Sequence, residues 1–465
     1  MTIAFAFFII AFLTIIFLNP QLGTFLIWPI LFTYPHGWWY HQGFLPLNIG
    51  YDDLFCITLF LVVFVRRNLM GGIPLRLGYG FWVITAFIGV VTLAGFSGAM
   101  DWPAYRFVIL KEILKVWVFW CLFYAVVHCV DDEKDLQTQL IMFSAAAVLG
   151  AGLVIFQYFV PSLAWPWQLP ETTGLGGQTI SGTIGEEEEL RRAYGAFMNA
   201  NGAACVLVCS FILLLGSLKL QKNIWKRFIY YIFAFLLLVA ALVTKSRSGF
   251  LMLAAVLFLM AFWGQNKRLS WLAIGTFIVV LFLFAGTRKA FFERLSEVYN
   301  PASKEVSGNV LGRVELWKRY FSTMNLKIFV LGQGSTAGII RNETESHSMY
   351  VSLITVYGLP GLIWALSSLY GFVKRAVFVR CYSRSLLLWQ VATICLWAIF
   401  SWGVYAGTSD ALSSNYPRYL LFFLVVLVDR AFELCRRQEL VAADGYLNYL
   451  DSYRISDWEV NEGYV

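Results

Sequence analysis

Long apolar stretches separated by short polar connections set the pattern of this chain. Runs of apolar residues cover 53–66, 79–97, 107–128, 138–160, 203–219, 228–244, 249–264, 270–286, 348–372, 386–405 and 417–430. About 20 apolar residues carry a helix across the hydrocarbon of a bilayer, so each run predicts a membrane-spanning helix. The segment 3–33 is apolar throughout but is cut by Asn19-Pro20, which predicts either one span with a re-entrant piece or two short spans. The expectation is an all-α polytopic membrane protein of about 12–13 transmembrane helices. The N-terminal Met1-Thr2-Ile3-Ala4 has no basic region and no small-residue cleavage site, and reads as a retained first span.

Composition removes the alternatives. Of 465 residues 59% are hydrophobic and 14% charged, against about 25% charged in soluble proteins. That excludes a soluble enzyme, a disordered chain and a secreted disulfide scaffold. The eight cysteines lie in apolar runs or beside basic connections, form no C-x-x-C or Cys/His cluster, and read as small packing residues.

Charge adds orientation. Arg66-Arg67 with Arg76, Lys219/Lys222/Lys226/Arg227, Lys267-Arg268, Lys374-Arg375-Arg380-Arg384 and Arg430-Arg436-Arg437 fall in alternate connections. The positive-inside rule makes those connections cytoplasmic and turns 34–52, 98–106, 161–202, 245–248, 287–347 and 406–416 outward. Two outward loops, 161–202 and 287–347, hold most of the polar chemistry. A transmembrane domain over 1–438, followed by an acidic, peripheral or mobile cytoplasmic tail over 439–465, is expected.

The outward face carries the candidate chemistry. Arg191 and Arg192 end the first large loop, Arg247 lies in Thr244-Lys245-Ser246-Arg247-Ser248-Gly249, and Arg313 lies in Gly312-Arg313-Val314-Glu315-Leu316-Trp317. Each arginine alone reads equally as a snorkelling or paired residue. Several on one face favour an anionic ligand, because the planar guanidinium donates two parallel hydrogen bonds to phosphate. His347 opens a span after the second loop. It suits general-base work or phosphate binding, whereas a lone histidine is more often a hydrogen-bonded interface residue. Glu186 to Glu189 form a solvated acidic face rather than a metal site, since adjacent carboxylates on a helix do not converge. Lys111, Glu112 and Lys115 lie inside the 107–128 span, where Glu112 can pair with Lys115 at i,i+3. They mark a structural network or a pathway lining. Asp52-Asp53, Asp101 and Asp410 are further outward acids that spacing does not rank. Gly332-Gln333-Gly334 and Gly358-Leu359-Pro360-Gly361 read as tight turns. No Walker motif and no basic groove interleaved with aromatics is present, which excludes nucleotide-driven work and nucleic-acid binding.

Taken in order, these patterns resemble the bacterial O-antigen ligase and Wzy-type polysaccharide polymerase superfamily. The order runs from Arg192-Ala193-Tyr194-Gly195-Ala196-Phe197-Met198-Asn199-Ala200-Asn201 through Ser246-Arg247-Ser248-Gly249, Gly312-Arg313 with Trp317, and Leu331-Gly332-Gln333-Gly334, to His347 and Gly358-x-x-Gly361. The resemblance covers about 190–365. It implies a GT-C-like glycosyltransferase of the inner membrane that works at the periplasmic face. Such an enzyme transfers glycan with inversion from an undecaprenyl-diphosphate-linked oligosaccharide to a glycan or lipid acceptor, without cofactor, nucleotide sugar or obligatory metal. It implies Arg192, Arg247 and Arg313 as diphosphate contacts and His347 as the family histidine. Arg191, Lys245 and Asn201, in the same stretches, are candidate substrate contacts. Membrane lipids and polysaccharide-export or chain-length proteins are the implied partners. Ser348 stands where Asn is common, and Tyr357 where an acid often stands. Polymerisation of repeat units is the first reading and ligation to lipid A core the second. A transporter is the alternative from another class, but it would place its charges near the midplane within internal repeats.

Overall fold

The computed structural model describes residues 2–33, 51–70, 76–160, 193–197, 199–263, 308–342, 346–412 and 415–459, with the pairs 172–173, 179–180, 274–275, 299–300 and 305–306. The expected runs emerge as helices α1 (Thr2–Leu18), α2 (Pro20–Thr33), α3 (Tyr51–Leu69), α4 (Tyr79–Asp101), α5 (Arg106–Cys129), α6 (Glu133–Phe159), α7 (Ala200–Ser217), α8 (Ile224–Val243) and α9 (Arg247–Trp263). They continue as α10 (Gly308–Ser322), α11 (Leu326–Leu331), α12 (Ser335–Asn342), α13 (Met349–Thr355), α14 (Gly358–Tyr382), α15 (Leu386–Thr408) and α16 (Asn415–Glu459). Among the described residues, strand structure is confined to two-residue antiparallel pairs. Among the described residues, six helices are long and apolar enough to cross a bilayer: α4, α6, α7 with its 3-10 extension to Leu220, α8, α14 and α15. The chain is an all-α polytopic membrane protein. The expected span 270–286, apart from 274–275, and the run Glu186 to Glu189 lie outside the described residues.

The bundle is built around helices that are apolar on every side. In α16, Leu420 to Val428 are all buried, and α7 is buried from Ala203 to Leu215, as a helix enclosed by other helices must be. Polar side chains inside the bundle are paired across helices. Gln139 of α6 accepts from Trp28 Nε1 (2.8 Å) and donates to Thr24 Oγ1 (2.9 Å) of α2.

The N-terminal segment folds as two helices. Asn19 caps the following turn through its side chain (Leu22 N to Oδ1, 3.0 Å), and a Cβ added at Gly23 would lie 3.5 Å from the Ile16 backbone. Residues seven apart in one straight helix are about 10 Å apart, so the chain doubles back and α1 and α2 are two helices. Their turn lies beside Arg66, which donates to the Leu18 carbonyl (3.1 Å).

Two expectations are corrected. The run 348–372 is not one helix but α13 and α14, broken at Val356-Tyr357. Gly358 has φ +67°, and a Cβ there would lie 2.5 Å from the Gly332 nitrogen. Only glycine tolerates both conditions, so the two glycine motifs interlock as a joint between α11 and α14. Second, Glu112 and Lys115 turn to other helices rather than to each other. Lys115 is ion-paired with Asp53 of α3, and Glu112 accepts from Thr336 N (3.1 Å) and Oγ1 at the start of α12. Within the second outward loop, 308–342 is largely helical. The last helix passes residue 438 unbroken and ends at Glu459.

The basic connections converge on one end of the bundle. Arg76 Nη1 donates to Val130 O (2.5 Å), Ser385 Oγ donates to Glu133 Oε2 (2.6 Å), and the Lys219 ammonium lies 5.8 Å from the Trp389 ring. Lys267-Arg268 lies outside the described residues. The opposite end holds the starts of α5, α7, α9 and α13 and the end of α15.

Candidate functional site at the opposite end of the bundle

Two neighbouring connections make this site. The first is the turn 244–246 between α8 and α9. Thr244 Oγ1 bonds the Ala241 carbonyl (2.7 Å), and Lys245 takes a left-handed backbone with φ +49°. Ser246 Oγ accepts from Gly249 N (3.2 Å), capping α9, and donates to Asn201 Oδ1 (2.8 Å) in the first turn of α7. Lys245 is buried, its ammonium 5.5 Å from the Tyr158 ring, and Arg247 is half-buried as the first residue of α9.

The entry to α7 is itself fixed. Gln157 Oε1 accepts from Tyr194 N (2.7 Å) and Gly195 N (2.8 Å), and Asn199 Oδ1 accepts from Gly202 N (2.6 Å) as the helix cap. Asn201 is therefore held from both sides.

The second connection carries His347, which is exposed with φ +51° between the buried Ser346 and Ser348. Ser346 Oγ lies 2.7 Å from Ser352 Oγ, and Ser352 donates to Asp410 Oδ2 (2.6 Å). Met349 N bonds Ser409 O (3.1 Å) across to the end of α15. Below the turn, α13 to α16 and α4 enclose an apolar cavity of about 360 Å³, lined among others by Met349, Tyr350, Leu353, Trp402 and Gly403.

Helix α10 joins the two connections. Arg313 Nη1 donates to Thr408 O (3.4 Å), and Thr408 Oγ1 donates to Ser248 Oγ (2.7 Å) in α9. One turn along the same face, Trp317 Nε1 donates to Ser346 O (2.8 Å), as residues four apart on a helix allow. Polar contacts thus run from Asn201 to the 246–248 turn, on to Thr408, Arg313 and Trp317, and end at the His347 turn.

Backbone strain marks the same places. Among the described residues two non-glycine residues have positive φ, Lys245 and His347. Such backbones cost about 1–3 kcal/mol each and persist where the surroundings over-determine them, commonly at functional sites.

The structure brings together Asn201, Lys245, Arg247, Arg313 and His347. Arg191 and Arg192 lie outside the described residues. Sequence reasoning missed the hydroxyls of Ser246, Ser248, Ser346, Ser352 and Thr408, and did not rank Asp410 above the other acids. Short polar residues clustered at predicted helix ends were the available signal. It also missed Arg418, buried in α16, which donates to Leu412 O (3.2 Å) and Asn415 Oδ1 (2.7 Å) and shapes the connection after Asp410.

The fold and this constellation define a multi-pass membrane protein with a cationic, hydroxyl-rich site where its helices end. Residues 232–366 match the family model described as O-Antigen ligase. That match includes Lys245, Arg247, Arg313 and His347, and supports the O-antigen ligase and Wzy-type superfamily that the ordered motifs resemble. A membrane ligase or polymerase type of enzyme follows from it. No curated protein matches the chain.

Proposed function

We propose that the protein is a glycosyltransferase of the inner membrane that moves a glycan from an undecaprenyl-diphosphate-linked donor to an acceptor hydroxyl at the periplasmic face. The reading rests on one observation above all: the contact path joining the Arg247 turn, Arg313 and His347 at one end of the bundle.

The chemistry follows from those residue types. The acceptor oxygen attacks the anomeric carbon as the bond to the diphosphate oxygen breaks on the opposite face, inverting the centre. The acceptor proton passes to His347, whose ordinary pKa lies near neutrality. The departing diphosphate gains negative charge, which Arg247 and Arg313 stabilise through oriented N–H donors, with Arg192 as a further contact. Removing one such donor typically costs about 10²–10³ in rate. Lys245 and Asn201, with Arg191, hold the donor, and the apolar cavity below the His347 turn accommodates lipid chain.

Polymerisation of lipid-linked repeat units is the first reading, because nothing in the described residues marks a site for lipid A core. Ligation is the second, favoured by the description of the matched family. Deleting the gene and separating surface glycans on a gel tests both. Single-repeat material supports polymerisation, full-length chains stranded on the carrier support ligation, and an unchanged glycan profile removes both.

A further inference from the structure

The basic end of the bundle carries buried cationic edges that the reaction does not use. Arg430 of α16 is fully buried. Its Nη1 is ion-paired with Glu433, but among the described residues Nε and Nη2 have no hydrogen-bond partner. Those two nitrogens form one side of the guanidinium fork, the edge that grips an oxyanion bidentately. Arg76 repeats the pattern. It is buried, Nη1 goes to Val130 O and Nη2 to Asp131, and Nε has no partner among the described residues. His128 is buried within electrostatic reach of Arg67, Arg76 and Arg430. Its Nδ1 is bonded to Tyr124 O (2.7 Å), and its Nε2 has no partner among the described residues.

The acids nearby are already engaged. Asp131 holds Arg76, Glu433 holds Arg430, and Asp429 accepts from Gly80 N (2.8 Å) and faces Arg375 Nε at 3.6 Å. Asp135 is turned to the backbone nitrogens of Asp131 (2.8 Å) and Asp132 (3.3 Å), capping α6. Arg437 adds a further positive charge. Burial, followed by the Arg430 and Arg437 charges, pushes the Arg76 guanidinium down to about 10. Leaving a buried charged donor without a partner costs more than the hydrogen bond it replaces. The cluster is not sealed, because Asp131 is 55% exposed and Glu433 25%. Arg430 follows Asn415 by 15 residues, about 22 Å of helix, which sets it in the far half of a hydrocarbon core about 30 Å thick, on the side of the basic end.

We propose that the Nε/Nη2 edge of Arg430, with Arg76 Nε beside it, binds a phosphate-class oxyanion at the basic end of the bundle, supplied by a phospholipid headgroup or by soluble phosphate. The bound anion ties α16 to the connection before α4 and to the end of α5, remote from the glycosyl-transfer site.

The test uses the full chain, purified and stripped of lipid, with thermal unfolding as the readout at constant ionic strength. One arm titrates inorganic phosphate into protein in detergent. The other compares vesicles of phosphatidylcholine alone with vesicles containing phosphatidylglycerol. A ligand that binds only the folded state raises the midpoint in proportion to the logarithm of its concentration. A rise that grows with the logarithm of phosphate concentration identifies the soluble source, and a rise confined to phosphatidylglycerol identifies the headgroup. In either arm Arg430→Lys, which keeps the charge but loses the fork, shows at least tenfold weaker apparent binding. No rise in either arm, or an equal rise in the variant, overturns the proposal. If the variant does not fold, an electron cryo-microscopy map of the wild type decides. Tetrahedral density against the Nε/Nη2 edge supports the site, and density no larger than water overturns it.

Discussion

The two ends of the bundle use polar residues in opposite ways. At the basic end charges are paired, within α16 as in Arg430 with Glu433 and between elements as in Arg76 with Asp131, and Gln438 Nε2 of α16 is bonded to Glu133 of α6 (2.7 Å). At the other end the polar groups are mostly hydroxyls bonded to one another and to backbone, and the backbone is left-handed at Lys245 and His347. The first arrangement locks helices together. The second holds a half-buried arginine and an exposed histidine in fixed places. Both ends are rich in arginine, so arginine count does not separate them. What separates them is whether the local structure relaxes around the charge or is strained to present it.

The largest expected effects test that division directly. Arg313→Ala and Arg247→Ala each lower turnover about 10²–10³-fold, and His347→Ala about 10²–10⁴-fold. All three insert and fold as the wild type does. Turnover is measured with a purified lipid-linked donor, and folding by thermal midpoint in the same detergent. Full activity in any one of them removes that residue from the site. Asp429→Ala is the mirror image. It leaves Arg375 beside a cavity and Gly80 N without its acceptor, and removing one partner of a buried pair costs about 3–5 kcal/mol. Activity per folded molecule is unchanged. Loss of activity without loss of stability in Asp429→Ala would erase the distinction between the ends.

The extent to which the sequence anticipates this follows the range of each interaction. Spans were legible because a membrane-crossing helix is written in one continuous run, and α3 to α9 and α15 lie where the apolar runs predict. The break at Val356-Tyr357 was not legible, because it exists to let Gly358 meet Gly332, 26 residues away. Local spacing offered Glu112 a partner at Lys115, but each found a better one on another helix. His347 stood out by following a long polar loop. The acid tied to its turn, Asp410, arrives from 58 residues downstream of Ser352 and looked no different from Asp101 until the fold joined them.

A middle-sized effect probes the joint that supports the site. Gly358→Ala requires a left-handed alanine and a Cβ 2.5 Å from the Gly332 nitrogen. Strain of this kind costs about 1–3 kcal/mol. The cost falls on α11 and α12, so hydrogen exchange in 326–342 speeds up while exchange at the basic end is unchanged. Uniform acceleration along the whole chain would show that the joint is not local.

The smallest effect is the most discriminating, because it applies one perturbation at both ends. Ser246 caps α9 through Gly249 N, and Asp132 caps α6 through Asp135 N (2.8 Å). Replacing either cap by alanine costs about 1 kcal/mol of stability, so the two variants match in thermal midpoint. Only Ser246 also holds Asn201 and the strained Lys245 turn. Ser246→Ala therefore lowers kcat several-fold at unchanged fold stability relative to Asp132→Ala, which retains wild-type kcat. Equal kcat in the two variants would mean that the 244–246 turn is held by packing alone. The left-handed backbone at Lys245 would then have to be explained without reference to the substrate.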